Sequence, residues 1–302
     1  MRPGPLRAAT RGSPLALWQT EFIARQLAVD VELVIVETDG DTTQATNTPI
    51  ETLGGQGIFV KAVEAAVLDG RADFAVHSAK DLPSVTEEGL SLACIPARGD
   101  PRDALIGCTL EALPPRAVVA TGSVRRRAQL AARRPDVVFE NLRGNIATRL
   151  KKSGGYDAIV MAYVALLRLE IHNVDVHVLD PSVMLPQVAQ GAIAVECRAA
   201  DDDIRTLLGG IEHRPSRLAV NAERAFLARL GGACDLPAGA YATVQPDGQI
   251  EMHTLLASLD GSSVLRRTDT GNDGRSLGTR MAETLLYEDG GERLLATTNS
   301  IT

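Results

Sequence analysis

The chain has 302 residues, 45% of them hydrophobic and 23% charged, and a net charge of −7. That length accommodates two or three domains and a sizeable core, and the acidic balance argues against a general nucleic-acid binder. No apolar run approaches the ~18 residues a membrane span needs, and Met1-Arg-Pro-Gly-Pro5 lacks the apolar core of a signal peptide, so the expectation is a soluble, cytoplasmic protein.

Leu6 to Ala9 reads as a short strand that turns through Thr10-Arg11-Gly12 into a helix. Ser13 suits the N-cap of that helix, Pro14 its first position, and Leu15, Trp18, Phe22, Ile23 and Leu27 follow at helical spacing. Arg11 and Ser13 therefore fall in a strand-to-helix turn, where backbone N–H groups favour an anion. A plain capped helix with a surface arginine is the alternative while the turn is taken alone. Val31 to Val36 is the next strand. Thr38 to Thr48 is polar and reads as a loop and a candidate lid, and Gly54-Gly-Gln-Gly57 as a tight turn before a helix from Ile58 to Leu68. No Lys-Ser or Lys-Thr follows those glycines, so they make no nucleotide site.

Ala72 to Val76 reads as a short buried strand, after which His77, Ser78, Lys80 and Asp81 arrive together before Pro83. Polar groups at the C-terminal end of a buried strand are where open α/β sheets place their chemistry. A solvated loop with a local Lys80–Asp81 ion pair fits the spacing equally well. Another strand, Leu92 to Ile95, follows, and from Asp100 the pattern starts over. Val118 to Ala120 leads through Thr121-Gly122-Ser123 into a helix carrying Arg125 and Arg126. Val137 to Phe139 leads through Leu142-Arg143-Gly144-Asn145 into one carrying Arg149, and Asp157 to Ala162 into one carrying Arg168.

Three turns that present guanidinium groups at one sheet edge would form a rim for carboxylates or phosphates. One Arg–carboxylate contact contributes roughly 4 kcal/mol before desolvation, so several together suit a highly charged ligand. Arg127, Arg133 and Arg134 lie further along their helix and are expected to face water. Leu185-Pro-Gln-Val-Ala-Gln-Gly191 is a crossing segment before the strand Ala192 to Glu196, which is placed to rejoin the first sheet. A helix from Asp202 to Leu208, a linker and a long amphipathic helix from Ser216 to Leu230 follow. Three strands (Gly239 to Val244, Ile250 to Leu259, Ser263 to Thr268) and a helix from Leu277 to Leu286 close the chain.

The expected domains are 1–98 with about 190–209, 99–189, and a small α+β domain over 214–302. Cys94, Cys108, Cys197 and Cys234 are widely spaced, and the five histidines form no His-x-x-x-His pair, so neither a disulfide framework nor a metal site is expected. Cys234 stands in a Gly-flanked loop, where an inert thiol is the ordinary case.

Taken together, Ala9-Thr-Arg-Gly-Ser-Pro-Leu-Ala-Leu-Trp18, His77-Ser-Ala-Lys-Asp-Leu-Pro83, Gly122-Ser-Val-Arg-Arg126, Leu142-Arg-Gly-Asn145 with Arg149, Arg168, Glu223-Arg-Ala-Phe226 and Cys234 with Pro237 resemble the porphobilinogen deaminase family, from Leu6 to at least Ala242. The resemblance implies an α/β fold, with two periplasmic-binding-protein-like domains around a cleft and a small α+β domain behind them. It implies head-to-tail joining of four porphobilinogen molecules with loss of ammonia, giving linear hydroxymethylbilane. It also implies a dipyrromethane cofactor on Cys234 and a central catalytic carboxylate at Asp81. Ser78, Lys80, Ser123, Arg125 and Arg126 would contact the cofactor, and Arg11, Ser13, Arg143, Arg149 and Arg168 the substrate.

The chemistry fits: losing ammonia from an aminomethylpyrrole leaves a cationic azafulvene, which a carboxylate stabilises. A six-ring chain bears about twelve carboxylates, which an arginine rim is suited to hold. The implied protein is a cytoplasmic monomer with porphobilinogen as its partner and no nucleic acid or membrane. The family usually has Met at Ala79, Lys at Gln56, and Gly at Ala165, Ala189 and Ala233. The competing readings are a non-catalytic two-domain binding protein for a small polycarboxylate and a nucleic-acid binder using the Arg116 to Lys152 segment, which lacks interleaved aromatics.

Overall fold

The computed structural model describes residues 4–37, 58–231 and 236–299. In chain order these form β1 (Leu6–Arg11), α1 (Pro14–Leu27), β2 (Val31–Val36), α2 (Ile58–Leu68), β3 (Phe74–Ser78), a 3₁₀ turn (Ala79–Asp81) and β4 (Leu90–Cys94). Next come β5 (Asp103–Ile106), β6 (Val118–Ala120), α3 (Val124–Arg133), β7 (Val138–Glu140), α4 (Ile146–Lys152), β8 (Ala158–Ala162), α5 (Tyr163–Arg168) and β9 (Val176–Val178). The remainder is β10 (Ile193–Arg198), α6 (Asp202–Gly209), α7 (Arg214–Arg229), β11 (Ala238–Val244), β12 (Ile250–Ala257), β13 (Val264–Gly271), α8 (Gly274–Glu283), a π turn (Thr284–Glu288) and α9 (Gly291–Asn299). The chain divides into two units, residues 1–99 with 191–217 and residues 100–190 with 218–302.

In the first unit one sheet runs β2-β1-β3-β10-β4. β1 is parallel to β2 and β3, whereas β10 is antiparallel to both β3 and β4. β10 thus rejoins the first sheet, as its alternation suggested. β3 reads as a continuous apolar run because both its faces are covered: Phe74 and Val76 join Ala8, Ile23 and Val195 in one cluster, and Ala75 joins Ala9, Val63 and Val67 in another. The strand starts two residues later and ends two later than the sequence reading. Asp73 is taken up at its entry, where it receives the Arg7 backbone N–H at 2.9 Å and the Arg7 guanidinium. Pairing of Ile193 with Ser78 then carries the ladder past Val76. His77 and Ser78 therefore belong to the strand, and the turn begins at Ala79.

α1 starts where expected, with the Ser13 Oγ accepting the Ala16 N–H at 3.3 Å. It ends at Ala28, an exposed residue with φ 52° and ψ 36°. A left-handed C-cap favours glycine because a Cβ is strained there. Ala28→Gly is therefore expected to raise stability by about 0.5–1 kcal/mol, read as a higher urea midpoint at unchanged slope.

The second unit contains a sheet of order β7-β6-β8-β5-β9, with β6 parallel to β7 and β8, and β5 antiparallel to β8 and β9. Its arrangement repeats that of the first sheet, so the restart read at Asp100 is structural. β5 and β9 are absent from the sequence reading, as is α9. The unit also holds the three-stranded antiparallel sheet β11-β12-β13. Ala128 of α3 and Leu185 share an apolar cluster with Leu255 and Ala257 of β12, so the C-terminal strands pack onto the arginine-bearing helix within one unit.

Candidate active site

In each five-stranded sheet one strand, β1 in the first and β6 in the second, lies between two parallel neighbours, so loops leave it toward opposite sides. That switch point is where open α/β sheets bind ligands, outside the carboxyl ends of the strands. In the first unit it presents Arg11 at the end of β1 and Ser13 just beyond, and Ser78, Lys80 and Asp81 at the end of β3. Continuing the β1–β3 register (Ala8 with Phe74, Ala9 with Ala75) brings Arg11 level with His77.

Asp81 closes the 3₁₀ turn, whose first residue donates its backbone N–H to the Ala192 carbonyl at 3.0 Å. The flanking Ala79 and Leu82 are buried, while Lys80 and Asp81 remain partly exposed. The turn is held by apolar neighbours and a backbone bond, leaving its charged side chains at the surface of the unit. Behind it, the Ser78 hydroxyl exchanges hydrogen bonds with the Gln19 amide of α1 at 2.9 and 3.2 Å. His77 is buried, with its Nε2 3.4 Å from Glu196 Oε2 of β10. Burial first, and Arg11 second, push the His77 pKa down to about 4 despite that carboxylate, so the ring is neutral at physiological pH.

In the second unit, Ser123, Arg125 and Arg126 follow β6, Arg143 and Arg149 follow β7, and Arg168 follows β8. Gly122 permits the first of these turns, since a Cβ there would lie 3.1 Å from the Leu142 carbonyl oxygen. Ser123 caps α3, accepting the Arg126 N–H at 3.4 Å. Arg149 donates through Nε to the Gly144 carbonyl at 2.7 Å, folding it onto the turn that carries Arg143. Arg168 is buried, and burial lowers its pKa to about 10.

The sequence reading placed Arg125 and Arg126 on an open rim. Instead they are only 3% and 6% exposed, and both grip Asp103 of β5, which is fully buried. Arg125 Nη2 donates to Asp103 Oδ2 at 2.8 Å, while Arg126 Nε and Nη2 donate to Oδ1 at 3.0 and 2.8 Å. Arg125 Nη1 also meets the Leu185 carbonyl at 2.5 Å and Arg126 Nη1 that of Val160 at 3.1 Å. Two guanidinium groups against one carboxylate leave this buried cluster with one positive charge in excess. Arg125 Nε is buried there without a hydrogen-bond partner. An anionic group suits both features, so the residues present fit a carboxylate-bearing dipyrromethane.

Of the three arginines expected to face water, Arg127 and Arg133 are exposed, whereas Arg134 donates to the Leu110, Leu113 and Pro114 carbonyls and to Asp136. Cys234, the Thr38 to Thr48 stretch, Gly54 to Gly57, Gln56 and Ala233 lie outside the described residues. The strand after Cys234 is described. Gly239 of β11 passes so close to the crossing segment that a Cβ on it would stand 2.9 Å from the Pro186 oxygen and 3.4 Å from Arg125 Cδ.

The family model described as "Porphobilinogen deaminase, dipyromethane cofactor binding domain" matches residues 6–206, and "Porphobilinogen deaminase, C-terminal domain" matches 217–287. The chain belongs to the porphobilinogen deaminase family. A porphobilinogen deaminase of Brevibacillus brevis is 42% identical over 301 residues, covering 96% of this chain and 97% of that one. With the family comes the activity, synthesis of hydroxymethylbilane from porphobilinogen in tetrapyrrole biosynthesis, on a dipyrromethane cofactor.

Solved structures with some likeness include an L-arginine-bound amino acid ABC transporter substrate-binding protein from Streptococcus pneumoniae (TM-score 0.39, 18% identity, 69% of this chain and 86% of that one). Another is the GluR0 ligand-binding core from Nostoc punctiforme with glutamate (TM-score 0.34, 16% identity, 68% and 91%). Likeness so distant decides nothing about function.

Sequence reasoning missed Asp103, Gln190 and Gln19 as partners of the predicted site. For Asp103 a signal existed: an acidic residue opening the apolar run Ala104-Leu-Ile106 before Gly107. Nothing local pointed to Gln190 or Gln19, whose partners lie 87 and 59 residues away.

Proposed function

We propose that this chain assembles hydroxymethylbilane on a dipyrromethane attached through the thiol of Cys234, with Asp81 as the catalytic carboxylate. The observation that carries the assignment is the placement of Arg125 beside Gly239. Arg125 lies against the strand that begins just after Cys234, with Arg126 beside it on Asp103, and five residues of chain reach at most about 18 Å. A tether at Cys234 thereby brings a pyrrole pair with four carboxylates within range of a buried cluster holding one excess positive charge.

When bound, the cofactor supplies the terminal pyrrole carbon onto which substrate is joined. The chain's own groups do the rest. Asp81 accepts pyrrole N–H bonds and opposes the positive charge that develops as ammonia leaves. Lys80, Ser78 and Ser123, with the two arginines, orient the cofactor's carboxylates. Arg11, Ser13, Arg143, Arg149 and Arg168 take those of incoming and added units. The condensation moves an aminomethylpyrrole carbon from ammonia to the chain, which makes the enzyme a transferase. Its setting is the cytoplasm and its working state a monomer. The described cysteines Cys94, Cys108 and Cys197 are all free thiols, in keeping with a reducing compartment.

Intact-mass measurement tests the tether. Purified parent chain is expected to carry the added mass of a dipyrrole and Cys234→Ala to lack it. An unmodified parent chain, or the same added mass in both proteins, would remove Cys234 from the account.

A further inference from the structure

The carboxylate of Asp103 receives four donors. Besides the three from Arg125 and Arg126, Gln190 Nε2 reaches Oδ1 at 2.9 Å. Gln190 is itself fully buried and also donates to the Pro101 carbonyl at 2.7 Å. Three of these hydrogen bonds converge on Oδ1 and one on Oδ2, and Asp103 has no exposed surface through which to meet a ligand itself. Its effect is on the two guanidinium groups. It sets the plane of the Arg126 fork, bound through Nε and Nη2 together, and holds Arg125 through Nη2. It also cancels one of their two charges.

We propose that Asp103, steered by Gln190, is a positioning residue that fixes the Arg125–Arg126 pair in the orientation and net charge with which it grips the cofactor's carboxylates. The proposal rests on the reading above that this arginine pair holds the cofactor. The ion pairs keep Asp103 ionised: burial would raise its carboxyl, but Arg125 and Arg126 beside it bring the pKa down to about 2. The cluster therefore holds one excess positive charge throughout the physiological range. Burial lowers the pKa of Arg125, but an arginine stays protonated in a protein.

Asp103→Asn keeps the volume, removes the charge and turns an amide N–H₂ toward guanidinium donors. In the full chain, the porphobilinogen concentration needed to load half of the folded protein is expected to rise about 10-fold, the scale of losing one charged hydrogen bond. Loading is read by intact mass and normalised to folded protein by circular dichroism. A purely structural role would lower the melting temperature but leave loading per folded molecule unchanged.

Unchanged loading in folded Asp103→Asn overturns the proposal. If that variant does not fold, Gln190→Met decides: a several-fold weaker loading is expected, and parent-like loading overturns the proposal. An Arg126→Gln arm separates the two claims. Parent-like loading there defeats the role of the arginine pair, and with it this proposal. Weakened loading in Arg126→Gln beside parent-like loading in Asp103→Asn defeats only the role given to Asp103.

Discussion

Asp81→Ala is expected to fold like the parent chain and to turn over porphobilinogen roughly 10²–10⁴-fold more slowly, the range spanned by loss of one electrostatic or acid–base group. The fold should survive because the turn holding Asp81 is anchored by buried Ala79 and Leu82 and by the Ala79–Ala192 backbone bond, none of which involves the carboxylate. Turnover must be expressed per cofactor-loaded molecule, with loading measured by mass on the same sample, since the cofactor derives from the substrate. A carboxylate facing a developing cation cannot be replaced by water without losing its fixed orientation, so the loss should fall on kcat. Product formation within a factor of about three of the parent rate would take Asp81 out of the chemistry.

Glu223→Ala is expected to destabilise the second unit by about 2–6 kcal/mol. Glu223 of α7 is fully buried, and its carboxylate accepts the backbone N–H of Ala189 at 2.6 Å and that of Ala242 at 2.8 Å. One side chain thus joins the crossing segment to β11. Truncation leaves two buried donors unsatisfied, at about 1–3 kcal/mol each. The grip falls where the chain is strained, because Ala189 has φ 58°, a left-handed conformation costing roughly 1–2 kcal/mol for a residue with a Cβ. The family usually has glycine at that position. Here the turn is kept although the residue differs, and the bond from Glu223 offsets its strain. A urea unfolding midpoint equal to that of the parent would show that the two amides find other acceptors. Glu223→Gln keeps one acceptor oxygen and should lose less.

The amino-acid sequence by itself determined the order of elements, the restart at Asp100 and the site stretches. Apolar runs of three to five residues closed by a polar turn are local signals, and Ser13, Ser123 and Asn145 each cap the helix that their position announces. Ile58–Leu68 and Val31–Val36 coincide with the residues read as helix and strand. β5 and β9 escaped because no capped helix follows either of them to announce a strand end, as one follows the equally short β6 and β7. Whether Arg125 and Arg126 face solvent or the interior was likewise beyond local reading. Both sit in the first turn of α3, and only the arrival of Asp103 from β5 and Leu185 from the crossing segment turns them inward. A guanidinium group is buried only where acceptors from distant parts of the chain meet it, and those acceptors are placed by sheet order. The sequence located the arginines; the tertiary structure decided which of their charges is balanced from within and which is left for a ligand.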